Sequence, residues 1–292
     1  METSKRLSIC NMNLNYILNT LDSSGYFGHV ISTEESIILQ SSLLILQNEN
    51  HFKEIYFWGK ILGAEKDYYI AYGYQKDILH GRVFYYSRNC VNWGLLPKPT
   101  QNGLSLTPLC TTKFQGDPSM IIEIVIEQDE TLISGKRKQP EIRKLKEEDR
   151  LASTVYLIME ESAVIPRAGI FRQPDGVIVN NLGFEGLHLL DAREWSSFLH
   201  LRVPTRKQNT NLLTKDDYNY ATDFLDPIDN DIPEGCWMIQ ITQSEDLVIL
   251  KSMYWPGLIF FHNIKTPKHG FIYFGHGKKC LDVPFMLSPF FT

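Results

Sequence analysis

With 292 residues, 43% hydrophobic side chains and a formal charge of −5, the chain carries enough apolar material for one large core or two modest ones. Its basic residues are scattered rather than gathered into a stripe, which excludes the electrostatic footprint of a nucleic-acid binder. No run approaches the roughly 20 apolar residues needed to cross a bilayer. Met1 to Asn15 lacks the apolar core of a secretory signal, so the expected protein is soluble and stays inside the cell.

The first region, 1–50, reads as helical. Leu14, Ile17, Leu18 and Leu21 recur at helical spacing before Gly25, and Ser32 with Glu35 three positions on forms a capping box ahead of Ile37 to Leu46. The second region, 51–127, reads as an aromatic β-meander. Tyr56, Trp58 and Lys60 alternate with Ile55, Phe57, Gly59 and Ile61, and Tyr68 to Tyr74 and Arg82 to Ser87 add two aromatic strands.

The third region, 128–292, opens in charge. An exposed loop is expected over Ser134 to Pro140, and Leu145 to Arg150 leads into a helix with Leu151, Val155, Ile158 and Met159 as its apolar stripe. Gln173-Pro174-Asp175-Gly176 predicts a turn between two short strands. Ala192 to Leu199 has the spacing of a short helix that turns Trp195, Phe198 and Leu199 inward. Thr205 to Tyr220 reads as a surface loop, and Gly235 to Leu287 as an antiparallel meander dense in aromatic and β-branched residues.

Motifs that carry chemistry are scarce. Cys10, Cys90, Cys110, Cys236 and Cys280 are odd in number and form no Cys-x-x-Cys pair, so they read as reduced, buried thiols. His262, His269 and His276 recur every seven residues, but a strand of that length points them to opposite faces, and each is expected partly exposed at a strand end. Gly275 to Lys279 lacks the spacing of a phosphate loop and reads as a turn. Asp223, Asp226, Asp229, Asp231 and Glu234 lack EF-hand order, and are expected as capping and turn carboxylates in a solvent-facing acidic loop that can steer a basic partner. Ser119 beside Asp117 has no base to activate it. No catalytic, cofactor or metal site is expected.

Several blocks occur in a characteristic order: Phe57-Trp58-Gly59-Lys60-Ile61-Leu62-Gly63, Asp67 to Gly73, Phe114 to Ser119, Phe184-Glu185-Gly186-Leu187, the acidic loop, and Trp255-Pro256-Gly257-Leu258. In these the chain, from about Ile55 to Leu287, resembles the radial spoke head protein 9 family of motile cilia and flagella. The resemblance implies a non-enzymatic subunit of the radial spoke head, located in the axoneme after a cytoplasmic stage. Implied partners are the larger spoke head proteins four and six, a second copy across the two-fold of the head, and the central pair projections that the assembled head meets.

The expected fold is α+β, with largely antiparallel β-sheets, a few packed helices and β-rich N- and C-terminal halves. Candidate interface residues are Trp58, Tyr254, Trp255 and Phe285, with interior packing the competing role for Trp and Phe in strands. Phe290 and Phe291 join them because a terminal phenylalanine pair is costly to leave in water. Two other classes compete: a general intracellular adaptor, and a hydrolase or metal-dependent enzyme whose distant residues would converge in a pocket.

Overall fold

A computed structural model describes residues 31–126, 141–205, 216–233 and 235–282. The expected helix over Asn13 to Leu21, the Ser134 to Pro140 loop, Glu234, and the candidates Phe285, Phe290 and Phe291 lie outside the described residues, as does most of the Thr205 to Tyr220 loop.

Eight strands form the central sheet. β1 (Glu54–Ile61), β2 (Tyr68–Tyr74), β3 (Val83–Ser87) and β4 (Gly94–Leu95) make one meander; β11 (Trp237–Ile241), β12 (Leu247–Ser252), β13 (Leu258–Asn263) and β14 (His269–Gly275) make the other. The order is β11-β12-β13-β14-β1-β2-β3-β4, antiparallel throughout except where β14 runs parallel to β1. Strands from the two halves of the sequence thus share one ladder. The α+β, largely antiparallel architecture expected from the sequence is the one observed.

Period-2 alternation assigns the side chains to two cores. Tyr68, Ile70, Tyr72 and Tyr74 face one side of the sheet, Tyr69 and Ala71 the other, and for that reason every residue of β2 is buried. On the second side lies α1 (Thr33–Glu49), whose Leu39, Leu43 and Leu46 cover Phe57, Phe261 and Ile272. Ser32 and Glu35 close its capping box as the sequence predicts. On the first side lies α3 (Glu147–Ser162), with Leu151, Val155, Ile158 and Met159 buried. Each of these four is worth about 1.5–3 kcal/mol by transfer from water.

Smaller pieces complete the first side: β7 (Val164–Pro166) paired with β10 (Phe198–His200), and the β8 (Ile170–Arg172) and β9 (Ile178–Asn180) hairpin around the expected turn. Asn180 of β9 sets its Nδ2 at 2.7, 2.9 and 3.2 Å from Glu54, Tyr56 and Tyr74, satisfying polar ends beneath the aromatic rings. A third two-stranded sheet, the hairpin of β5 (Ile121–Ile126) with β6 (Glu141–Lys146), stands apart from the large sheet and packs Ile122, Ile124 and Leu145 around Leu106 of α2 (Gln101–Leu106).

Several expectations change. Strict alternation in β1 fails at Trp58, an extra residue between Phe57↔Ala71 and Gly59↔Ile70, so Lys60 faces α1 while Trp58 faces α3. Leu145 and Lys146 finish a strand before the helix starts at Glu147. Ala192 to Leu199 is not a helix: 3-10 turns at Asp191–Arg193 and Trp195–Ser197 lead into β10, so Phe198 and Leu199 are buried but Trp195 is 36% exposed. The acidic loop is not a solvent-facing one, for reasons given below.

Candidate interaction surface

The seam between β1 and β14 is closely confined. Gly59 adopts φ +143°, and a Cβ there would lie 2.1 Å from the Tyr273 carbonyl oxygen, so only glycine lets the two backbones meet. The bulge places Trp58 against Tyr273, ring centroids 5.2 Å apart, with its indole N–H 3.0 Å from the Met159 sulfur. Trp58 has no accessible surface.

The other blocks are joints of the same kind. Phe114 to Ser119 wraps the start of α3, where buried Glu147 accepts N–H bonds from Gln115 at 2.9 Å and Gly116 at 2.8 Å and the Tyr68 hydroxyl at 2.8 Å. Burial first, then that bond, raises the Tyr68 pKa far above its usual value. Arg150 lies 4.1 Å above the Phe114 ring and donates to the Thr112 carbonyl at 2.7 Å.

Trp255, 3% exposed, donates to Glu161 at 2.8 Å. Lys279 pairs with the same carboxylate at 2.7 Å and stands 4.7 Å over the Tyr254 ring, which is half-buried and donates its hydroxyl to Ile232 O at 3.1 Å. Trp58 and Trp255 therefore fill the interior, and Tyr254 alone of the three described candidates is partly exposed.

His262 and His269 are not separate strand-end residues. They are ladder partners on β13 and β14, with ring centroids 6.3 Å apart against Phe184. The hairpin turn cancels the face reversal that a single strand would impose. His262 is fully buried, accepts the Leu187 N–H at 3.0 Å and faces the Lys268 carbonyl at 3.2 Å, which fixes a neutral ring protonated on Nδ1. Burial pushes its pKa down to about 4 against the opposing carbonyl bond. His276 is exposed, and among the described residues no group of three or more His, Cys, Asp or Glu is placed to hold a metal.

The acidic segment is clamped. Arg167 grips Asp223 with two bonds of 2.7 and 2.6 Å and reaches Asp217 at 2.8 Å; Arg202 holds Asp226 at 3.0 Å; His200 and Trp237 both meet Asp231, at 2.9 and 2.8 Å. Asp223 and Asp226 are buried, so these carboxylates act as internal ties rather than as a free acidic surface. Hydrogen bonding to Asp223, opposed by burial, raises the Arg167 pKa.

Cys90 and Cys236 are buried free thiols, each pushed up to about 12 by burial; Cys110 and Cys280 are free and half-buried. Ser119 Oγ donates to Asp117 at 2.7 Å in a local turn. Among the described residues one surface cleft holds Lys66, Arg88 and Asn92 and another holds His80, Arg172 and Tyr220. Ser87 also lines the first cleft, where its hydroxyl donates to the Asn89 side-chain oxygen at 3.0 Å.

What the surface offers is apolar. The outward side of α1 leaves Ile37 61% and Ile45 57% exposed although its inner side is also apolar. The outer face of the β5–β6 hairpin presents Ile121, Val125 and Ile142. A fold whose buried polar groups tie its own elements together while apolar side chains stand outside suits a structural subunit.

A family model described as radial spokehead-like protein matches residues 4–79. The chain is 38% identical to the Bos taurus radial spoke head protein 9 homolog over 276 residues, 94% of this chain and 100% of the relative. The Homo sapiens homolog is 37% identical with the same coverage, and the Danio rerio homolog 39% identical over 269 residues, 92% of this chain and 97% of the relative. The chain belongs to the radial spoke head protein 9 family.

Proposed function

We propose that this chain is a structural subunit of the radial spoke head in the axoneme of motile cilia or flagella, without catalytic activity. The observation that carries the reading is the near full-length similarity to spoke head relatives, 94% of the chain against the Bos taurus homolog. The joints at Glu147, Trp255 and His262 support it, since they spend polar groups on internal cohesion and leave apolar side chains for neighbours.

Its neighbours in this reading are the larger spoke head proteins four and six and a second copy across the head, with the assembled head meeting the central pair projections. The chain passes through the cytoplasm before it is built in. Regions 51–127 and 128–292 act as one folding unit, because a subunit under repeated load gains from a shared sheet. Tyr254 and the terminal Phe285, Phe290 and Phe291 contribute contacts, whereas Trp58 and Trp255 act by holding the surface in shape.

The test is an affinity pull-down of the tagged full chain from isolated axonemes with mass spectrometry. Stoichiometric recovery of other spoke head subunits is expected. Recovery of soluble cytosolic proteins in their place would overturn the reading in favour of a general adaptor.

A further inference from the structure

The β5–β6 hairpin is where the fold leaves a strand unprotected. The Glu147 N–H donates to the Met120 carbonyl at 2.8 Å, and bonded and non-bonded pairs alternate along an antiparallel ladder. The amides and carbonyls of Ile121, Glu123 and Val125 consequently point away from β6, to an edge with which no described strand pairs. β5 reads Ile-Ile-Glu-Ile-Val-Ile, free of the Pro, Lys or bulge with which proteins blunt exposed edges. Ile121 and Val125 are each 59% exposed, and Ile142 across from Val125 is 58% exposed.

We propose that the β5 edge receives an extended strand from a different polypeptide, one in which apolar residues flank a Lys or Arg set opposite Glu123. Charge selects this occupant over a second copy. Antiparallel pairing of β5 with itself through its outward-pointing residues sets Ile121 against Val125 and Glu123 against Glu123, where like charges directly opposed destabilise a sheet, and registers shifted by two set the carboxylate against Ile121 or Val125, where it gains no counter-charge. The pairing of Glu123 with Lys144, 3.3 Å apart with both side chains at least 60% exposed, is weak enough for a second cation to share it. A strand on this edge also extends the inner cluster of Ile122, Ile124 and Leu145.

The inference deepens the reading of the chain as an assembly subunit, and rests on it for the partner's identity, but its test is separate from the axonemal pull-down. The full-length chain is titrated with two synthetic peptides, Thr-Val-Thr-Val-Lys-Val-Thr-Val-Thr and its counterpart with a central Glu, while amide exchange is followed residue by residue. The Lys peptide should slow exchange at Ile121, Glu123 and Val125 by roughly tenfold or more, with Ile142, Lys144 and Lys146 unchanged. Glu123→Lys, checked for an unaltered thermal transition, should reverse the preference between the peptides. Protection by neither peptide, equal protection by both, or self-association of the free chain that protects the same amides overturns the proposal. Peptide protection together with a pull-down lacking spoke head subunits would leave the edge established and the functional reading lost.

Discussion

The β1–β14 seam and the β5–β6 hairpin are both ladders of apolar strands, yet they occupy opposite ends of a range. At the seam each strand is paired on both sides and covered on both faces, by α1 and by α3. In the hairpin one face is covered and both outer edges lack a described strand. A two-stranded ribbon is marginal by itself, so the hairpin draws its stability from α2 below and keeps its remaining bonding capacity for something outside. Hydrogen-bonding groups are the same in number per residue in both places; what differs is whether the fold has used them.

That contrast can be broken most severely at the seam. Gly59→Ala forces a Cβ onto the Tyr273 carbonyl, and the strands must separate to admit it. We expect a loss of about 4 kcal/mol or more in urea unfolding, and failure to fold at 37 °C if the margin is small.

An intermediate effect is expected where the Phe184 to Leu187 loop is fastened to β13. His262 is held neutral with a pKa of about 4, below the 6.5 of an unfolded imidazole. Its contribution is complete above pH 6.5 and is lost as pH falls toward 4, the loss reaching about 3 kcal/mol there. His262→Gln, which keeps an acceptor for the Leu187 N–H, should flatten the stability curve between pH 6.5 and 4 relative to the wild type. Equal slopes for the two proteins would remove His262 from the account.

The smallest effect belongs to the hairpin. Val125→Thr with Ile142→Thr alters only side chains that already face water, and should shift the stability of the isolated chain by no more than about 0.5 kcal/mol per site. A larger loss would mean that the outer face is already covered within the chain.

Much of the fold was legible. The Ser32 and Glu35 capping box, the Gln173 to Gly176 turn and the aromatic strand over Tyr68 to Tyr74 are local signals, and local backbone chemistry delivered them. The bulge at Trp58 left no mark, because one extra residue changes the face of its successors without changing composition. The buried state of Asp223 and Asp226 was hidden for another reason: Arg167 lies 56 residues from Asp223 in sequence and Arg202 lies 24 from Asp226, so the ties exist only once β7 and β10 are paired. Of the candidate site, the aromatic blocks were found but not their orientation; Trp58 and Trp255 face inward since each indole meets a partner on α3. The open edge of β5 was missed because the boundary it occupies was read by its charge rather than by its unpaired backbone.

The parallel run of β1 beside β14 also fixes how the sheet answers to tension. The start of β1 at Glu54 and the end of β14 at Gly275 lie at opposite ends of that pair. Pulling them apart slides the two strands along each other and loads all their bonds at once, whereas a hairpin pulled at its open end gives way one bond at a time. The single non-antiparallel junction in the sheet is thus loaded in shear, and it stands between the two meanders.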